Sequence, residues 1–142
     1  MTDLTLKTTR HIQASPETVF DAWLDPAILA KFMMPGEGMT VPKAESDARE
    51  GGRFAIVMAA GDQEIPHGGE YKEISRPNRL VFTWESPFSV DGSTVTLSLK
   101  SSDAGGTDLE LVHVKFTDEE TRDNHLGGWN GILAKLDEVL SA

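Results

Sequence analysis

Not one of the 142 residues is cysteine. That excludes disulfides, thiolate zinc sites and a cysteine nucleophile. Basic residues are scarce as well: 13 lysines and arginines stand against 23 aspartates and glutamates, a net charge of -10. Phosphate backbones and anionic lipid surfaces both require a basic face. Neither nucleic acid nor a membrane is therefore an expected partner. No apolar run approaches the roughly 20 residues that span a bilayer. The opening Met1-Thr2-Asp3-Leu4 has neither the basic start nor the apolar stretch of a secretory signal, so the expected location is the cytoplasm.

Catalytic and metal-binding signatures are missing too. His11, His67, His113 and His125 show no HExxH and no pair at i, i+4. There is no GxSxG elbow and no phosphate loop. Gly36-Glu37-Gly38 is part of a glycine motif, but position 41 is Val41, and a helical pattern precedes it where a dinucleotide turn needs a strand. No metal and no cofactor are expected.

What is present is a strong helical pattern at the end of the chain. Leu126, Trp129, Leu133, Leu136 and Leu140 recur at steps of three and four, with Ile132 beside them. That spacing sets them on one stripe of a helix over 118–140. Asp118, Glu119 and Glu120 occupy its first turn, where carboxylates suit the helix dipole. At about 22 residues it is roughly 33 Å long, enough to cross a small domain.

Upstream, alternation dominates. Leu4, Leu6, Thr8, Arg10 and Ile12 share one face of a first strand. Ser15 then Pro16, and Asp25 then Pro26, are two N-caps each followed by proline at the first helical position. They open two short helices in series, bearing Val19, Phe20, Trp23 and Leu24, then Ile28, Leu29, Phe32 and Met33. A loop over 34–40 and an edge strand over 41–45 follow, then a turn at Glu50-Gly51-Gly52. Strands are expected over 53–60 and about 64–75, and after a turn at Arg76-Pro77-Asn78 with Leu80, Phe82 and Trp84 inward. Two more place Val95, Leu97 and Leu99, then Leu109, Leu111 and His113, on the covered face. The fold class is α+β, with an antiparallel sheet of about six to seven strands and the long C-terminal helix as its cover. The length suits one domain, 1–142.

Several stretches carry a family resemblance across nearly the whole chain. They are Val19-Phe20-Asp21-Ala22-Trp23 with Asp25-Pro26, Gly51-Gly52-Arg53-Phe54, Gly69-Glu70-Tyr71 to Ile74, Arg79 to Trp84, and His125 to Trp129 with Leu133 and Leu136. As a set they resemble homologues of the activator of heat-shock protein 90 ATPase, within the START-like helix-grip (SRPBCC) superfamily. One departure is Phe32-Met33, where the family often carries two large aromatics. The resemblance implies a curved sheet gripping the long helix around a cavity. It implies a single ligand-binding domain for a small hydrophobic molecule, without catalysis. A second implied reading is a polyketide cyclase- or hydratase-like enzyme using His113 with a carboxylate. A third is chaperone contact through the outer sheet face. The activator itself has two domains, so that reading ranks last. A homodimer is left open.

The cavity candidates are Phe32, Met33, Met39, Phe54, Met58, Tyr71, Phe82, Trp84, His113, Gly128, Trp129 and Ile132. The helix and segment 26–40 would form the wall and mouth. Methionines adapt to irregular ligands but also pack loop edges. Trp84 and Tyr71 read equally as core with a paired polar atom. His113 is either a satisfied core residue or the polar anchor of an apolar pocket. Gly127 and Gly128 each cost a helix about 1 kcal/mol relative to alanine. Close helix–sheet approach, room for Trp129 or cavity volume would compensate. Arg53 and Glu37 are charged candidates that exposure would equally explain.

Overall fold

In the computed structural model, residues 4–34, 38–87, 92–116 and 118–141 are described. Seven strands form one antiparallel sheet: β1 (Leu4–Ile12), β2 (Met39–Ser46), β3 (Arg53–Ala60), β4 (Gln63–Ser75), β5 (Arg79–Thr83), β6 (Thr94–Ser101) and β7 (Thr107–Phe116). Their spatial order is β1-β7-β6-β5-β4-β3-β2. Strands β2 to β7 are a run of hairpin neighbours, and β1 closes against β7. The chain therefore has to travel from one sheet edge to the other between β1 and β2. Two short helices make that journey, α1 (Pro16–Ala22) and α2 (Pro26–Phe32).

Both helices start as their sequences dictate. Ser15 Oγ accepts the Thr18 amide at 3.3 Å, and Asp25 Oδ1 accepts that of Ala27 at 2.9 Å. Each satisfies an N–H that the first turn leaves unpaired. The long helix α3 (Glu119–Ser141) follows a third cap, Asp118 Oδ1 accepting the Thr121 amide at 2.7 Å. Its 23 residues make a rod about 34 Å long. It packs on β1, β7 and α2.

The stripe of α3 lies on the inward residues of the strands. Trp129, Ile132, Leu133 and Leu136 are buried against a core that includes Leu80, Phe82, Val95, Leu97, Leu109 and Leu111. The outward positions are mainly polar: Thr94, Thr96 and Ser98 on β6, Asp108 and Glu110 on β7. The expected architecture is the observed one, with the edge strand longer at its start because Met39 and Thr40 pair with Ala60 and Ala59.

Two local irregularities shape the inner face. In β7, Leu4 pairs with Phe116 but Thr5 with Val114, so Lys115 is an extra residue, held at φ 74°. Such a bulge breaks the two-residue alternation. Without it Phe116 would point outward; with it, both His113 and Phe116 face the helix, and both are buried. In β4, Gly69 lies under the Phe54 ring. A Cβ there would stand 2.0 Å from the Thr83 carbonyl oxygen and 2.6 Å from Phe54 Cε1. Only glycine permits that approach.

Candidate functional site

Most of the space between sheet and helix is filled by aromatic rings. Trp23 meets Phe32 edge-on at 5.1 Å, Phe54 meets Phe82 at 5.4 Å, and Phe54 meets Tyr71 at 5.4 Å. Among Trp23, Leu29, Met33, Phe54, Ile56, Tyr71 and Phe82 only about 10 Å³ is left, at most room for a single water. Tyr71 is closed off further by its hydroxyl bond to Ser46 Oγ at 2.9 Å. Burial pushes its phenol pKa up.

A hollow survives at one end, where α3 starts. It holds about 330 Å³ and is lined by Met58 of β3, His67 of β4, Trp84 just after β5, and Thr121, Asn124, His125, Gly128, Trp129 and Ile132 of α3. That volume falls within the range of ligand sites, about 300–1,000 Å³. Trp84 and Trp129 are 4.8 Å apart and tilted, and His67 lies 5.0 Å from Trp84. Together they make an aromatic wall.

Of the twelve expected cavity residues, Met58, Trp84, Gly128, Trp129 and Ile132 line this hollow. Phe32, Met33, Phe54, Tyr71 and Phe82 instead pack on one another in the core, and Met39 packs partly buried against it. Segment 26–40 supplies none of the lining among the described residues, because Leu29, Phe32 and Met33 turn α2 into the core. The polar part of the lining comes instead from Thr121, Asn124 and His125 of α3 and His67 of β4. Gly127 is exposed, and a Cβ there would meet nothing within 4 Å, so neither close approach nor cavity volume accounts for it. Arg53 is exposed and paired with Glu85. Gly36 and Glu37 lie outside the described residues.

His113 sits behind the wall, fully buried. Its Nδ1 takes the indole N–H of Trp129 at 3.0 Å, and its Nε2 meets Ser93 Oγ at 2.6 Å. An indole nitrogen can only donate. His113 Nδ1 must therefore be the acceptor, which puts the ring proton on Nε2, donating to Ser93. A serine–histidine pair at this distance would otherwise suggest a nucleophile and its base. Here the tautomer is the wrong one, since Nε2 has no lone pair to take the serine proton. Among the described residues the His113 ring nitrogens meet Trp129 and Ser93 and no carboxylate, so the cyclase-like pairing of His113 with a carboxylate is not formed among them. Burial, assisted by the nearby His125, lowers the His113 pKa to about 3. It is a neutral, satisfied core residue.

The four lining residues that sequence reasoning missed are His67, Thr121, Asn124 and His125. Thr121, His125, Gly128 and Ile132 recur at steps of four, three and four. That second stripe, flanking the apolar one, was the available signal. His125 Nδ1 donates to the Thr121 carbonyl at 2.8 Å, and His67 Nδ1 to that of Ile65 at 3.1 Å. Burial, with His125 nearby, lowers the His67 pKa. Among the described residues no three His, Asp or Glu side chains gather as a metal site. No helix among them is long and apolar enough to cross a membrane.

A long terminal helix held in a curved seven-stranded antiparallel sheet, with two short helices after the first strand, is the helix-grip fold. The model of the activator of Hsp90 ATPase homolog 1-like protein family matches residues 13–141. The chain belongs to that family. It is 31% identical to protein CV1439 from Chromobacterium violaceum, with TM-score 0.85 over 97% of this chain and 98% of that one. The AHSA1 protein SPO3351 of Silicibacter pomeroyi is 27% identical, with TM-score 0.82 over 97% and 98%. An AHSA1-like protein from Aeromonas hydrophila is 26% identical, with TM-score 0.81 over 95% and 90%. Among curated proteins none matches.

Proposed function

We propose that the chain is a single binding domain that takes a small apolar molecule, without chemistry, into the hollow between the sheet and the first half of α3. The observation that carries this is a hollow of about 330 Å³ between sheet and helix, walled by Trp84, Trp129, Met58 and Ile132. Gly128 lines the space without a side chain of its own, at about 1 kcal/mol of helix propensity relative to alanine. The mainly polar outer sheet offers little to a protein partner, which favours the pocket over a chaperone-contact surface.

The test is binding of the neutral fluorescent probe N-phenyl-1-naphthylamine to the parent and to Gly128→Leu. The parent should enhance its fluorescence saturably, and Gly128→Leu should lose at least tenfold in affinity while melting no lower. Equal binding by both would place the probe elsewhere and overturn the reading.

A further inference from the structure

The polar groups of the hollow define what kind of molecule it selects. None of its lining residues among those described is lysine, arginine, aspartate or glutamate. An ion brought there would lose its water with no counter-charge to replace it, an expensive transfer. The net charge of -10 adds repulsion against anions. The volume is at the small end for ligand sites, so one or two fused rings fit better than a long chain.

One hydrogen-bonding requirement follows from His125. Its Nδ1 faces the carbonyl of its own preceding turn, Thr121, at 2.8 Å. A carbonyl can only accept, so Nδ1 carries the proton and the neutral ring's Nε2 is left as an acceptor. No described residue bonds Nε2, and His125 is part of the lining. The ring is also braced from behind, 5.1 Å from Phe116 and 5.5 Å from His113. Phe116 is there only because the Lys115 bulge turns it inward. The imidazole is thus a positioned acceptor beside an aromatic wall.

Resting on the binding reading above, we infer that the ligand is an uncharged, flat ring compound carrying one hydrogen-bond donor, a phenol-type O–H or indole-type N–H, which His125 Nε2 accepts. Met58, Trp84 and Trp129 hold the ring, and His125 reads the donor. A donor lost to a methyl ether leaves Nε2 unpaired in a partly dry site, a difference of about tenfold in affinity.

Calorimetric titration with four naphthalene probes tests this: 2-naphthol, 2-methoxynaphthalene, 2-naphthoate and 2-naphthylmethylammonium. The parent should bind 2-naphthol about tenfold more tightly than the ether and both ions more weakly still. His125→Phe keeps a ring but no acceptor, so the naphthol-to-ether ratio should fall to about one. His125→Gln restores an acceptor and should recover part of it. Equal binding of naphthol and ether by the parent sinks the donor inference while leaving the apolar pocket standing. Tighter binding of either ion sinks the claim of an uncharged ligand. If no probe binds and no amide resonance of α3 shifts, the binding reading itself fails.

Discussion

Acid should loosen this protein through one residue more than any other. His113 has a pKa of about 3 when folded and roughly 6.5 when the chain is open. Between those values the unfolded state carries a proton that the native state refuses, so stability rises with pH across that window. The stabilising effect of keeping His113 neutral is complete above about pH 6.5 and drains away as pH falls toward 3. At about 1.4 kcal/mol per unit, moving from pH 7.5 to 5 removes about 2 kcal/mol from this group alone. Domains of this kind have only about 5–15 kcal/mol to lose. His67, its pKa also lowered by burial, adds in the same direction. The comparison therefore needs His113→Gln, which keeps polar atoms between Ser93 and Trp129 but cannot titrate. Urea unfolding of both proteins at pH 7.5, 6.5, 5.5 and 5 gives the slopes. The parent should lose about 2 kcal/mol more than the variant over that range. Identical losses would refute the argument, as would a His113 ring resonance that titrates near pH 6.

Three further outcomes are expected. Gly69→Ala pushes a methyl against the Thr83 carbonyl and the Phe54 ring, so it should lower stability by about 3 kcal/mol in a urea melt. Trp129→Phe removes the donor to His113 Nδ1 and should cost about 1–2 kcal/mol; nitrogen NMR should then show both His113 tautomers populated. Lys115→Gly relieves a left-handed side chain and should raise thermal stability by about 1 kcal/mol, with Phe116 still buried as judged by the ring-current shifts of its neighbours.

The architecture was legible because each element's period is local. Val95, Leu97 and Leu99 announce a one-sided strand, Asp25 then Pro26 announces a helix start, and the α3 stripe needs no tertiary knowledge. The site was only half legible. Parity says that Phe54, Tyr71, Phe82 and His113 point inward, and they do. It says nothing about whether the inward space is filled. That depends on ring sizes meeting across strands distant in sequence, such as Phe54 lying on Gly69 and reaching Phe82. His67 falls in the strand expected over about 64–75, but its neighbours Pro66, Gly68 and Gly69 give no apolar alternation from which its face could be read. The Lys115 bulge had no glycine to signal it, so the inward turn of Phe116 was invisible.

The β2 border of the sheet, against which α2 packs, has its own consequence. Between Thr40 and Lys43 the pairing of β2 with β3 slips, and Pro42 sits in that slip without an amide hydrogen to offer. A neighbouring chain seeking to extend the ladder would meet a gap and a kink instead of a continuous row of donors. This barrier to strand addition lies at the β2 border, beside α2, while α3 packs on β1 at the other. A change of Pro42 to valine would leave the hollow intact while making concentrated solutions prone to fibre formation.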